Sequence, residues 1–225
     1  MSVSEHLKQI KQHIPANVRL VAVSKTKPVA DIMEAYDAGH RIFGENKAQD
    51  LIAKQPELPA DIEWHFIGHL QRNKVKYLAP FVAMIESVDS LKLLKEINKQ
   101  ALKHGRVMDC LLQFHIASEE TKFGLDLEEA EALLVSEEFS SMQNVRICGV
   151  MGMATFTTDE QILRKEFSTL RELFNALKEK YFADDKSFRD ISMGMSGDYK
   201  LAIEEGSTNV RVGTAIFGAR NYSKQ

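Results

Sequence analysis

The chain has 225 residues, 44% hydrophobic and 27% charged, which suits one globular domain with a real core and falls within the ~200–250 residues of a single α/β barrel. A net charge of -3 leaves no footprint for nucleic acid or an anionic membrane surface, and no run approaches the ~20 apolar residues of a membrane span. Cys110 and Cys148 both lie in apolar runs and read as reduced core thiols, not as a disulfide framework or a metal site.

The N-terminus, Met1-Ser2-Val3-Ser4-Glu5, has neither a basic n-region nor an apolar h-region, so a soluble cytoplasmic protein is expected. Val3, Leu7, Ile10 and Ile14 then fall at helical spacing behind a Ser2/Glu5 capping box, and Pro15 ends the helix. A first strand follows over 18–24. It is apolar and partly β-branched, the pattern of a strand buried on both faces, and Pro28 stops it. Residues 29–38 read as a helix closed by Gly39, 41–44 as a strand, and Glu45-Asn46-Lys47 as the opening of the next helix.

The third strand is expected over 63–68, with a helix from about Leu70, and the fourth over 83–88. Asp89 or Ser90 caps a helix with Leu91, Leu94, Ile97 and Ala101 on one face. The fifth strand spans 107–116, and Asp126 with Glu129 opens another helix. Residues 145–153 form the sixth strand. The longest helix carries Leu163, Phe167, Leu170, Phe174, Leu177 and Tyr181. A seventh strand over 190–193, a short helix over 198–204 and an eighth strand over 209–213 complete the pattern. The polar stretches 136–143 and 183–186 read as loops.

Strands alternating with helices are parallel strands joined by crossovers, and eight such units close on themselves. The expected fold is an α/β, single (β/α)8 TIM-type barrel with an extra N-terminal helix, occupying 1–225 as one domain. An open doubly wound sheet is the alternative, although it usually has fewer strands.

In such a barrel the working face is built from the loops after each strand. Lys25 falls at the end of the first strand, where an apolar border and the like charge of Lys27 favour the neutral amine that imine formation needs. Ser196-Gly197-Asp198 leads into a short helix whose N–H groups favour an anion, and Gly213 and Thr214 offer close backbone approach and a hydroxyl. A lysine facing a phosphate cradle suggests either pyridoxal 5′-phosphate held as a Schiff base or a cofactor-free aldolase acting on a sugar phosphate. Arg211, beside the cradle, would keep a pyridine nitrogen unprotonated. His65 and His115 read as hydrogen-bonded core histidines. His6, His13, His40 and His104 read as solvated helix faces, and Glu119-Glu120 and Glu128-Glu129 as solvated charge.

Five motifs then occur in one order along essentially the whole chain. They are Ala22-Val23-Ser24-Lys25-Thr26-Lys27-Pro28, Phe43-Gly44-Glu45-Asn46, the segment from His65-Phe66-Ile67-Gly68 to Asn73-Lys74, Ser192-Met193-Gly194-Met195-Ser196, and Val210-Arg211-Val212-Gly213-Thr214 with its continuation to Gly218. Together they resemble the YggS/PROSC family of pyridoxal phosphate homeostasis proteins. The resemblance implies a barrel like the N-terminal domain of alanine racemase, with Lys25 as the Schiff-base lysine. It implies Ser196, Gly213 and Thr214 on the phosphate, Arg211 facing the pyridine nitrogen, and Asn46 and Met153 lining the ring. The chain departs from the family at His115, where an asparagine is more usual, and at Gly197, a variable position.

Alanine racemase needs a second base, a tyrosine supplied by a C-terminal domain. This sequence ends at Gln225, just past the eighth strand. The expectation is therefore a monomeric, non-enzymatic carrier of pyridoxal 5′-phosphate serving intracellular vitamin B6 homeostasis, with apo pyridoxal phosphate enzymes as recipients and no metal. The alternative is a weak racemase-like enzyme acting on an amino acid.

Overall fold

Short apolar strands cannot bury two faces alone, and in this chain they do so by closing a cylinder. A computed structural model of the chain describes residues 1–118 and 123–219. Eight strands, β1 (Arg19–Val23), β2 (Ile42–Glu45), β3 (Glu63–Phe66), β4 (Met84–Val88), β5 (Met108–Phe114), β6 (Val145–Gly152), β7 (Asp190–Ser192) and β8 (Asn209–Val212), form a closed barrel in sequence order. Every pairing is parallel, including the closing one, in which Val21 lies opposite Arg211.

The helices fill the crossovers, except the first, which precedes β1, and the last, which follows β8. They are α1 (Val3–Gln12), α2 (Val29–Asp37), α3 (Ala48–Lys54), α4 (Arg72–Leu78), α5 (Leu91–Lys103), α6 (Leu127–Leu134), α7 (Glu137–Ser140), α8 (Glu160–Tyr181), α9 (Tyr199–Glu204) and α10 (Thr214–Phe217). The expected caps are present. Ser2 and Glu5 form a capping box on α1, Asp126 and Glu129 form one on α6, and the Ser90 hydroxyl accepts from Leu93 N–H at the start of α5. The 136–143 stretch differs from its reading as a loop. Ser136 accepts from Phe139 N–H and starts the one-turn helix α7.

Alternation along the strands sorts side chains into two cores. Outward residues such as Ala22, Phe43, Phe66, Ile85, Leu112 and Val210 join the helices in one large apolar shell. Met84, Leu111, Cys148 and Met151 form a separate small cluster inside the barrel. Both cysteines are buried free thiols, and burial pushes the Cys148 thiol up to about 12. Gly149 permits the β6–β7 contact, since a Cβ there would fall 1.8 Å from the Asp190 carbonyl oxygen. His40 departs from its expected exposure. It is buried at the end of α2, bonded to the Ile42 carbonyl and packed edge-on against Phe43. Of the acidic pairs, Glu119 and Glu120 lie outside the described residues, and Glu128 and Glu129 are exposed as expected.

Candidate functional site

The chain leaves β1 through a turn that presents Lys25. Ser24 is buried and donates its N–H to the Gly44 carbonyl at 3.0 Å. Lys27 N–H donates back to the Ser24 carbonyl at 3.1 Å, which puts Lys25 and Thr26 at the corners of a β-turn. Thr26 takes φ 64°, the only positive φ outside glycine among the described residues. A β-branched residue there is strained, because its Cβ crowds the backbone. Lys25 is half-buried beside it. The Lys27 ammonium turns away to donate to the Phe217 and Ala219 carbonyls at 2.6 and 2.9 Å, on the end of α10.

The loops after β7 and β8 converge on one another. Ser196 Oγ accepts from Gly213 N–H at 3.1 Å and Ala215 N–H at 3.4 Å. Gly194, at φ 93°, makes the turn possible, since a Cβ would meet that of Ala202 at 2.6 Å. Gly213 presses on β1, where its added Cβ would come 3.0 Å from the Val23 carbonyl oxygen. The cradle is thus adjacent to the end of β1, two residues before Lys25. The N–H groups that reach Ser196 Oγ come from Gly213 and from the start of α10. The helix expected after 198, α9, is preceded by Asp198, whose own carboxylate accepts from Met195 N–H.

Beneath the cradle, a chain of buried polar groups crosses the barrel. Arg211 donates to Ser192 Oγ at 2.6 Å and to the Gly152 carbonyl at 2.8 Å. Ser192 donates to Glu86 Oε2 at 2.6 Å, and Glu86 Oε1 bonds His65 Nδ1 at 2.6 Å. Burial alone would raise the Glu86 carboxyl, but the bond and charge of His65, the Arg211 charge and the Ser192 hydroxyl carry it below its usual range. Burial lowers Arg211 from its ordinary value against the pull of Glu86 and Asp198.

The other expected residues sit on the same rim. Asn46 follows β2, and Gly68 packs directly on its backbone, where a Cβ would meet the Asn46 carbonyl oxygen at 2.1 Å. Met153 lies on the interior methionine cluster. His65 is a core histidine as expected, whereas His115 is exposed, because β5 ends at Phe114 and leaves it on the rim. Glu86 and Lys54 were not singled out from sequence. The signal for Glu86 is a carboxylate in the short, mostly apolar fourth strand, and Lys54 offers none. Clefts of about 420 and 460 Å³ lie at the opposite end of the barrel, around Arg19 where β1 begins.

These features define a lysine-bearing (β/α)8 barrel, and the family model described as alanine racemase, N-terminal domain, matches residues 2–221. The pyridoxal phosphate homeostasis protein of Aquifex aeolicus is 40% identical over 91% of this chain and 88% of that protein. The human protein of the same name is 38% identical over 100% of this chain and 86% of that one. The structure of PipY from Synechococcus elongatus with PLP bound superposes with a TM-score of 0.86 at 37% identity, covering 96% of this chain and 100% of that one. Alanine racemase from Bacillus anthracis shares the fold, with a TM-score of 0.73 at 18% identity over 98% of this chain and 56% of that one. Within this barrel class, the chain belongs to the family of pyridoxal phosphate homeostasis proteins.

Proposed function

We propose that the chain binds pyridoxal 5′-phosphate at the C-terminal mouth of its barrel and serves vitamin B6 homeostasis as a carrier of that cofactor. One observation carries the reading. Gly213, in the Ser196 cradle, packs on Val23, two residues before Lys25, which supports an amine and a set of anion donors at one mouth. The name of the relatives and the PLP bound to PipY support the same ligand.

The residues present fit this group. Bound there, the cofactor would supply an aldehyde and an electron-withdrawing ring. Lys25 supplies the amine for that aldehyde. Ser196 Oγ, the Thr214 hydroxyl and the Gly213 and Ala215 N–H groups, which without the cofactor donate to Ser196 Oγ, would hold the phosphate. The Arg211 guanidinium, fixed by Ser192 and the Gly152 carbonyl, would face the ring nitrogen. It holds its own protons, so it keeps that nitrogen unprotonated and the ring a weak electron sink. Met153 and Asn46 border the ring.

A carrier fits better than an enzyme. Thr26, His69, His115 and Thr214 are exposed around the mouth. Water reaches such a rim, which suits exchange of a cofactor and opposes carbanion chemistry. The relatives are named for homeostasis. The reading includes a monomer, a cytoplasmic location and apo pyridoxal phosphate enzymes as recipients.

The test is visible absorbance of the purified protein, then borohydride and peptide mapping by mass spectrometry. A yellow protein with a reduced pyridoxyl group on Lys25 is expected. A colourless protein that takes up no pyridoxal phosphate overturns the reading. Sustained release of the α-proton of an amino acid, lost in Lys25→Ala, would make the protein an enzyme instead.

A further inference from the structure

Glu45 has no part in the cofactor site, yet it is fully buried. It points outward from β2, away from the barrel axis, while its neighbour Gly44 points in. Glu45 Oε1 accepts from Lys54 Nζ at 2.6 Å and from Ser24 Oγ at 3.0 Å. Among the described residues, Glu45 Oε2 has no hydrogen-bond partner. Lys54, the last residue of α3, is itself mostly buried and donates a second time, to the Ser24 carbonyl at 3.0 Å. A buried carboxylate with one oxygen unmet is an expensive way to hold a helix to a barrel. The pair instead grips Ser24 by its hydroxyl and its carbonyl.

Ser24 is the residue before Lys25, and its carbonyl also closes the turn by accepting from Lys27 N–H. That turn holds Thr26 at φ 64°, a conformation a β-branched residue leaves when it can. We propose that the Glu45–Lys54 pair positions Lys25: by clamping Ser24 from behind the barrel wall, it keeps the strained 24–27 turn in the shape that presents the Lys25 amine to the mouth. Glu45 and Lys54 touch no reacting atom, so they are positioning residues. The inference rests on Lys25 being the cofactor's attachment point.

The test uses the full chain with the charge-neutral double variant Glu45→Gln/Lys54→Met, alone and with Thr26→Gly added. The readout is the fraction of chain carrying a reduced pyridoxyl group on Lys25 after a brief borohydride pulse at limiting pyridoxal phosphate. Releasing a strained non-glycine turn should lower that fraction by about 10-fold. Thr26→Gly, which accepts φ 64° without strain, should restore at least about threefold. Urea unfolding of each variant fixes the folded fraction in the assay, and trapping is compared per folded chain, so a loss of fold stability alone does not register.

Ser24→Ala removes only the hydroxyl grip and provides the same comparison where the double variant does not fold. Trapping at the wild-type level in either variant, or no rescue by glycine, overturns the inference. In parallel, NMR couplings and shifts of Thr26 report its φ without cofactor. They should leave the left-handed region in the double variant, and unchanged values overturn the clamp. A wild-type chain that traps nothing defeats the cofactor reading instead, and the Thr26 measurement then still decides whether the clamp exists.

Discussion

Arg211 Nη1 and Glu86 Oε2 lie 3.9 Å apart at the centre of the barrel, with Ser192 Oγ hydrogen-bonded to both. The Arg211 cation, proposed above to face the cofactor, is therefore held by a buried anion rather than by solvent. Glu86→Ala leaves Arg211 and His65 buried without that carboxylate. It should destabilise the fold by about 3–5 kcal/mol, the cost of breaking one side of a buried pair. Glu86→Gln, which keeps the hydrogen-bonding shape, should cost less. Urea unfolding of the two variants checks this, and equal losses would exclude a charge effect.

Acid should find the same carboxylate. Its folded pKa lies below the ordinary 4.5, so its stabilisation is complete above that value and is lost as pH falls through the folded one. Glu86→Gln should therefore flatten the acid limb of a stability–pH curve below about pH 4.5.

His40 sets a separate window. Burial, with the Lys11 and Arg41 charges, brings its pKa from 6.5 to about 4, so the unfolded chain binds a proton that the folded chain refuses. The contribution is present above 6.5 and is lost as pH falls towards 4. About 2 kcal/mol should disappear between pH 7 and pH 5. In His40→Gln, which can still donate to the Ile42 carbonyl, urea midpoints at the two pH values should differ by correspondingly less.

Gly68→Ala drives a Cβ to 2.1 Å from the Asn46 carbonyl oxygen. A backbone atom cannot rotate away, so the β3 end and the Asn46 segment must separate. A loss of about 3 kcal/mol is expected from the overpacking, together with weaker cofactor uptake in an absorbance titration. A variant with wild-type stability and uptake would show that the rim tolerates that shift.

Ser196→Ala should weaken pyridoxal 5′-phosphate about 10-fold, the value of one hydrogen bond to a charged group. It should leave the weaker binding of pyridoxal, which has no phosphate, unchanged. Parallel titrations with the two compounds read the difference. An equal loss for both would move Ser196 away from the phosphate.

The barrel was legible because its signals are local. Buried strands such as 18–24 read as apolar runs, helices such as α5 and α8 show their stripes, and glycines and caps mark the ends. The position of Lys25 follows from the same arithmetic, since a strand that stops at Pro28 must place it on the rim. The five motifs extended this to Ser196, Arg211 and Gly213.

Tertiary structure alone decided which polar groups meet. His65, Glu86, Ser192 and Arg211 come from four strands, and only closure of the barrel in its observed register brings them into one chain. Lys54 reads from sequence as an ordinary charge at a helix end, and becomes a buried clamp because α3 lies over Ser24. The N–H groups that reach Ser196 come from the start of α10, and Asp198 turns onto its own loop to accept from Met195 N–H. Periodicity reports which face of an element is apolar. It carries no term for a hydrogen bond between residues a hundred or more positions apart, such as Glu86 and Ser192, and that is where the site is made.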